Sequence, residues 1–321
     1  MYDRLKSFQF MKHRKIYYIF CICLIVITVG IGLVRGYNMG IDFTGGTLIQ
    51  IDMGQTVEIS DIESILSDND LSGSITHAGE DNEEIIIKTA DSMDSETRTT
   101  LLDALGEKYG VTDDDVLSVE NIGPSVGDTL KTSAAKAVLV AIVLMLIYIA
   151  VRFMWEYGVA AIVALLNTIL IVIGFYGLFH ITINSPFIAA MLTILGYGIN
   201  DTIVIFDRVR ENTGNSTKKS VNGLEPLVDE SIRQTVARSV MTSLTTVAVM
   251  IPLLIICGST IRSFILPLLV GVIASTCSSI FIATSVWYDI ARNVTKGTYK
   301  GQKKAKKQKP AKSEDKAGQT A

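Results

Sequence analysis

An aspartate inside an apolar run is the first chemistry this chain offers. In Gly196-Tyr197-Gly198-Ile199-Asn200-Asp201-Thr202-Ile203-Val204-Ile205-Phe206-Asp207-Arg208, Asp201 lies in a stretch long enough to span a membrane. A carboxylate at the centre of a membrane helix costs roughly 3 kcal/mol even on lenient insertion scales. Such a group therefore ordinarily faces a partner, a bundle interior or a proton path. Asn200 and Thr202 offer hydrogen-bonding groups beside it, and Gly196 and Gly198 allow close approach of a neighbouring helix. The alternative is an Asp that pairs statically with a nearby cation.

Arg238 is the second candidate. It opens another apolar run and precedes Thr242, Ser243, Thr245 and Thr246, whose spacing is expected to put hydroxyls on the bundle-facing side. An Arg at a helix end is equally an ordinary topology anchor. Other chemistries lack their residues. His13, His77 and His180 are isolated, and Cys21, Cys23, Cys257 and Cys277 lie in or beside apolar runs without a C-x-x-C pair. No Walker loop ending in Lys-Ser or Lys-Thr occurs. The expectation is a protein with no metal site and no cofactor, and not an enzyme.

These residues need a membrane bundle to position them. Hydrophobic residues make up 49% of the chain and charged residues 19%, with a mean hydropathy of +0.39, against about 25% charged in an average soluble domain. Six apolar runs, 16–34, 134–151, 158–179, 186–206, 239–257 and 264–287, approach or exceed the roughly 20 residues needed to cross a bilayer. Arg152, the Arg208, Arg210, Lys218, Lys219 and Arg233 loop, the basic N-terminus with Arg4 and Lys6, and the Lys-rich end fall on one side. By the positive-inside rule that side is cytoplasmic and holds both termini. Trp155, Tyr157, Trp287 and Tyr288 are expected at that interface.

Between the first two spans the chain changes character. Residues 37–130 carry 21 acidic residues against three basic, a net charge of −18 within an overall −3. The expectation is an exported soluble domain. A strand at 47–52, a helix opened by a capping box at Ser60-Asp61-Ile62-Glu63, strands at 72–78 and 84–89 around a turn at 79–82, a helix at 95–109 stopped by Gly110, and a strand at 116–122 follow in order. That βαββαβ order predicts an α+β ferredoxin-like fold.

Three motifs then carry a resemblance. Gly40-Ile41-Asp42-Phe43-Thr44-Gly45-Gly46-Thr47 follows the first span and Gly123-Pro124-Ser125-Val126-Gly127 precedes the second. Asn200-Asp201-Thr202-Ile203-Val204-Ile205-Phe206-Asp207-Arg208-Val209-Arg210-Glu211-Asn212 lies at the fourth. On this six-span layout the chain resembles the SecF family of protein-export subunits, related to the RND superfamily of proton-driven exporters. The resemblance implies a SecD partner, the SecYEG channel, YajC and exported polypeptides as associates, in the cytoplasmic membrane of a prokaryote. It also implies ion coupling at Asp201, with Arg238 modulating its proton affinity, and leaves H⁺ and Na⁺ both open. An RND-type small-molecule exporter and a non-transporting scaffold are the other readings.

The layout expected is residues 1–36 as cytoplasmic N-terminus and first span, 37–131 as the exported domain, 132–288 as spans two to six with a cytoplasmic loop at 207–237, and 289–321 as a basic tail. Gly45 and Gly46 are expected to make a tight turn. Asp207, Arg208, Arg210 and Glu211 should stay solvated or form ion pairs, and 224–236 should be an amphipathic helix on the inner surface. The Lys-rich segment 303–309 suits anionic membrane lipid, and no specific nucleic-acid partner is expected.

Overall fold

A computed structural model describes residues 9–79, 82–89, 93–215 and 224–294. Arg4, Lys6, Lys218, Lys219 and the basic segment 303–309 fall outside the described residues, as does part of the 79–82 turn. Among those described, six helices are long and apolar enough to cross a membrane.

Helix α1, Arg14–Arg35, leads into a single turn, α2, at Ile41–Thr44. Next come β1 (Gly46–Asp52), α3 (Ile59–Asp68), β2 (Gly73–Ala78), β3 (Glu84–Thr89), α4 (Ser95–Tyr109) and β4 (Val116–Ile122). The strands form one antiparallel sheet in the order β2-β3-β1-β4, as expected for a βαββαβ chain in which each helix carries the chain across one intervening strand. Ile49 faces Ile87 and Ile51 faces Ile85 across β1 and β3. These residues pack with Ile62, Leu66, Leu101 and Leu105 of the two helices in a single apolar cluster. One face of the sheet is thus buried by the alternation of its side chains.

Local signals govern the ends of α4. The Asp94 carboxylate accepts from Thr97 N at 2.8 Å, and Gly110 stops the helix at φ 76°, a left-handed conformation that glycine adopts without a Cβ penalty. Helix α3 corrects the predicted capping box. It begins at Ile59, with Glu58 at the cap position and no side-chain cap bond. Burial of Val57, Ile62 and Leu66 sets its start, so Ser60 is already inside the first turn.

The remaining helices are α5 (Pro124–Arg152), α6 (Trp155–Phe179), α7 (Ser185–Asn215), α8 (Leu224–Ile256) and α9 (Ser259–Cys277), the last continued by a π-helical turn at Ser278–Ala283. Several outrun their apolar runs. Helix α5 starts on the Gly123-Pro124 motif, where Pro fits the first helical position. Residues 224–236 are the first turns of α8 rather than a separate surface helix. Val228, Ser231, Ile232 and Thr235 are buried there because they recur at helical spacing and pack inward. The predicted loop 207–237 shrinks accordingly, since 207–215 continue α7.

Small residues set the closest helix contacts. A Cβ on Gly177 would lie 2.8 Å from Gly32 Cα, which marks the α1–α6 crossing. A Cβ on Gly198 would lie 2.5 Å from Ser275 Oγ, which marks the α7–α9 crossing. Gly196 has nothing within 4 Å, so only one of the two predicted glycines serves helix packing. The aromatic expectation also changes. Trp155 is 61% exposed, whereas Tyr157, Trp287 and Tyr288 are buried, with Tyr157 edge-on to Phe206 at 5.1 Å between centroids. The three rings fill the bundle's core because each lies on the inward face of its helix.

Candidate functional site

Three helices assemble the site. Asp201 stands 16 residues into α7, about 24 Å along a helix about 46 Å long at 1.5 Å per residue. It is 5% exposed. Thr276 on α9 donates to Asp201 Oδ2 at 3.3 Å, and Ser239 lies against the same carboxyl without meeting hydrogen-bond geometry. Thr276 Oγ1 is also 3.0 Å from Val272 O and 2.5 Å from Ser243 Oγ on α8. Ser243 in turn lies 3.2 Å from Tyr197 OH, one helical turn from Asp201.

A hydroxyl gives one proton and accepts two. Thr276 can therefore serve either the Asp201 carboxylate or the Val272 carbonyl, but not both. With Asp201 ionised, donation runs from Tyr197 to Ser243 to Thr276 to Asp201. With Asp201 protonated, the carboxyl donates to Thr276 and Thr276 turns to Val272. The chain of hydroxyls has two consistent settings, and the proton on Asp201 selects between them.

A second polar layer backs the first. Thr202 Oγ1 bonds Gly198 O at 3.0 Å and lies 2.8 Å from Ser279 Oγ, while Asn167 Nδ2 donates to Ser278 Oγ at 2.8 Å. Ser278 and Ser279 open the π-helical turn. Such turns interrupt the i→i−4 ladder and recur at functional sites. Among the described residues, no group of three or more His, Cys, Asp or Glu side chains is placed to hold a metal ion.

The structure sorts the predicted residues. Asp201 and Ser243 come together, and Thr202 is buried one layer away. Asn200 is exposed because one residue along a helix turns it about 100° from Asp201. Thr242 and Thr245 are also exposed, and Thr246 is half-buried. Their hydroxyls bond carbonyls of their own helix instead of converging on the site. Arg238 is exposed and forms no ion pair with Asp201 among the described residues; its charge reaches the carboxyl only through space. Asp207 pairs with Arg210 at 2.8 Å and Arg152 at 3.8 Å, and Arg208 pairs with Glu211 at 2.7 Å.

Thr276, Tyr197, Ser239, Ser278, Ser279 and Asn167 were not among the predicted site residues. The signal for three of them, Thr276, Ser278 and Ser279, was the hydroxyl-rich Ser275-Thr276-Cys277-Ser278-Ser279 in the sixth span. The motif residues form a second constellation. Asp42 Oδ2 accepts from Ser185 N at 2.5 Å, at the first residue of α7. Gly45 (φ 75°) and Gly46 (φ 120°) follow α2. A Cβ on Gly45 would meet Pro124 Cα at 2.9 Å, and one on Gly127 would meet Gly45 N at 3.0 Å.

Known proteins are similar to this chain in sequence and fold. Residues 103–293 match the family described as protein export membrane protein SecD/SecF, C-terminal, and residues 31–57 match the SecD/SecF GG motif. The protein translocase subunit SecF of Acidaminococcus fermentans is 38% identical over 88% of this chain and 97% of its own length. The chain belongs to the SecF family of protein translocase subunits. A crystal structure of SecDF from Thermus thermophilus, a translocon-associated membrane protein, superposes with a TM-score of 0.79 at 35% identity, over 87% of this chain and 38% of that one. The SecF-family assignment and the six apolar helices make this a multi-pass membrane protein.

Proposed function

We propose that this SecF-family subunit pairs with a SecD partner and uses an ion gradient to promote protein passage through SecYEG. The observation that carries the ion-coupling step is Asp201, buried at mid-helix with a rotatable hydroxyl as its hydrogen-bond partner and no ion pair among the described residues. A buried carboxyl so placed has a hydrogen-bond partner in either protonation state, provided that the neighbouring hydroxyl reorients. Binding and release of the ion at Asp201 switch the packing of α7 against α8 and α9. Each charge crossing 100 mV supplies about 2.3 kcal/mol, enough to bias such a two-state element.

Support for the SecD partner comes from the Thermus relative, named SecDF, of which this chain covers 38%. The face to be covered is apolar and exposed: Leu139, Val143 and Leu144 on α5 and Met241, Leu244 and Val249 on α8. Thr242 and Thr245 lie on that α8 face, so SecD is the partner that encloses them, with Arg238 tuning Asp201 from the same side. The sheet unit, residues 37–131, is exported and rides on the switch. Both termini are cytoplasmic, in the cytoplasmic membrane of a prokaryote.

The test is gradient-driven export of a secreted reporter, comparing wild type with Asp201→Asn at matched protein levels. Loss of the gradient-dependent part with SecD association retained is the expected result. Unchanged export would make the subunit a scaffold.

A further inference from the structure

The segment between α1 and β1 is fastened to the start of α7, the helix that carries Asp201. Ile183 N donates to Asn38 O at 2.8 Å, Gly40 N donates to Ile183 O at 2.7 Å, and Asn38 Nδ2 reaches Thr182 Oγ1 at 3.1 Å. Asp42 then accepts from Ser185 N. Helix α7 already has a local cap, because Asn184 Oδ1 accepts from Phe187 N at 3.1 Å. The Asp42 carboxylate is a second acceptor, supplied from outside the helix, at the end where the helix dipole favours negative charge.

Two further contacts make this a junction rather than a lone cap. Phe43, beside Asp42, is 4% exposed and belongs to the apolar cluster with Val172 and Tyr176 of α6 and Phe187 and Met191 of α7. On the sheet side, Lys88 Nζ of β3 donates to Thr182 Oγ1 at 2.7 Å. The chain leaving the sheet unit meets the same place, since Gly45 and Gly127 lie in backbone contact. Both connections of the sheet unit to the bundle thus converge beside the first turn of α7.

We propose that Asp42 is the positioning residue that transmits movement of α7 to the sheet unit. An α-helix is stiff along its axis, so repacking at Asp201 displaces Ser185, 16 residues away on the same helix. Asp42 follows the Ser185 amide, and the positive-φ bends at Gly45 and Gly46 turn that displacement into β1. The glycines serve this junction by letting the two connections touch, in addition to making a turn. This inference rests on the ion-coupled reading of Asp201 and adds the route by which its state reaches the sheet.

The experiment uses the full chain in its SecD complex, with native cysteines replaced and spin labels at Thr99→Cys on α4 and Met154→Cys between α5 and α6, both exposed. In the otherwise wild-type protein, Asp201→Asn should shift the label-to-label distance distribution. In Asp42→Ala that shift should vanish, gradient-driven export should fall to the Asp201→Asn level, and amide exchange at Ser185 should quicken about five-fold, as for loss of a helix cap. Asp42→Asn, which keeps an acceptor of the same shape, should restore part of both and serves if Asp42→Ala fails to assemble. A full Asp201-dependent shift persisting in Asp42→Ala would overturn this inference alone. Absence of any shift in the otherwise wild-type protein, with export unchanged by Asp201→Asn, would overturn it together with the ion-coupled reading.

Discussion

Among the described residues, two aspartates are buried in the helical bundle, and they are held in opposite ways. Asp229 on α8 is 3% exposed and accepts from the Met11 backbone N–H at 2.9 Å, in a packed corner where Phe10 and Met11 are themselves buried. Asp201 on α7 is 5% exposed and accepts from the Thr276 hydroxyl at 3.3 Å. A backbone amide is a donor fixed in direction and can never accept. A hydroxyl rotates, and it can donate to a carboxylate or accept from a carboxylic acid. The first arrangement suits a latch and the second suits the proposed switch, although burial alone does not separate them.

The largest effect tests that contrast directly. Asp201→Asn should abolish the gradient-dependent part of export with little loss of protein, because the amide keeps shape and hydrogen bonding while removing titration. Asp229→Ala should do the reverse. It strands the Met11 amide, which costs about 1–3 kcal/mol, so thermal stability in detergent should drop while export per folded molecule holds. If Asp229→Ala instead loses gradient dependence at matched folded levels, the latch reading is wrong.

Thr276 comes next. Thr276→Val removes the hydroxyl while keeping the volume, and gradient-driven export should fall about ten-fold, the scale of a hydrogen bond to a charged group. Thr276→Ser should keep most of it. Equal losses in both variants would mean that Thr276 contributes packing rather than a rotating proton donor.

The sequence made the spans and the order of strands legible because each depends on local pattern. Helix α4 was readable to its ends, since Asp94 and Gly110 are local signals. The site was readable only in part. Ser239 and Ser243 are four residues apart and share a helix face, and Thr245 lies well round the helix from it, but Thr246 is seven residues from Ser239 and three from Ser243, so the hydroxyl spacing by itself separates only part of the set. The pairing of Thr276 with Asp201 was hidden for a different reason. What brings it to Asp201 is the close α7–α9 crossing at Gly198, which joins residues 75 positions apart in the chain, and no periodicity within one helix encodes it.

That crossing gives a smaller effect. At Gly198 an added Cβ would press on Ser275 Oγ, whereas at Gly196 it meets open space. Gly198→Ala should destabilise the protein by about 1–3 kcal/mol through overpacking, and weaken gradient-driven export by moving Thr276 away from Asp201. Gly196→Ala should leave export within error and, at an open helix-interior position, raise stability by at most about 1 kcal/mol. Detergent melts and export assays on the pair measure whether the switch needs this spacing.

The smallest effect comes from a third carboxylate, Asp94, which is fastened by a backbone amide as Asp229 is, but in water. The Thr97 N–H holds the Asp94 carboxyl below its ordinary range. A carboxyl lowered in the folded state adds stability above its unfolded value, and that stability is lost as pH falls through the folded value. Asp94→Ala should therefore weaken the sheet unit modestly, by the same amount from neutral pH down to about 5. The difference from wild type should then shrink as pH drops below the ordinary aspartate value of about 3.9. Urea titration of the full-length protein, followed through the methyl signals of Ile49 and Ile87, reads this out. A fixed amide donor with solvent on its other side restrains a carboxyl without deciding the fold. The strength of the Asp229 latch therefore comes from burial as well as from the donor, so Asp94→Ala should cost the sheet unit less than Asp229→Ala costs the bundle in its detergent melt.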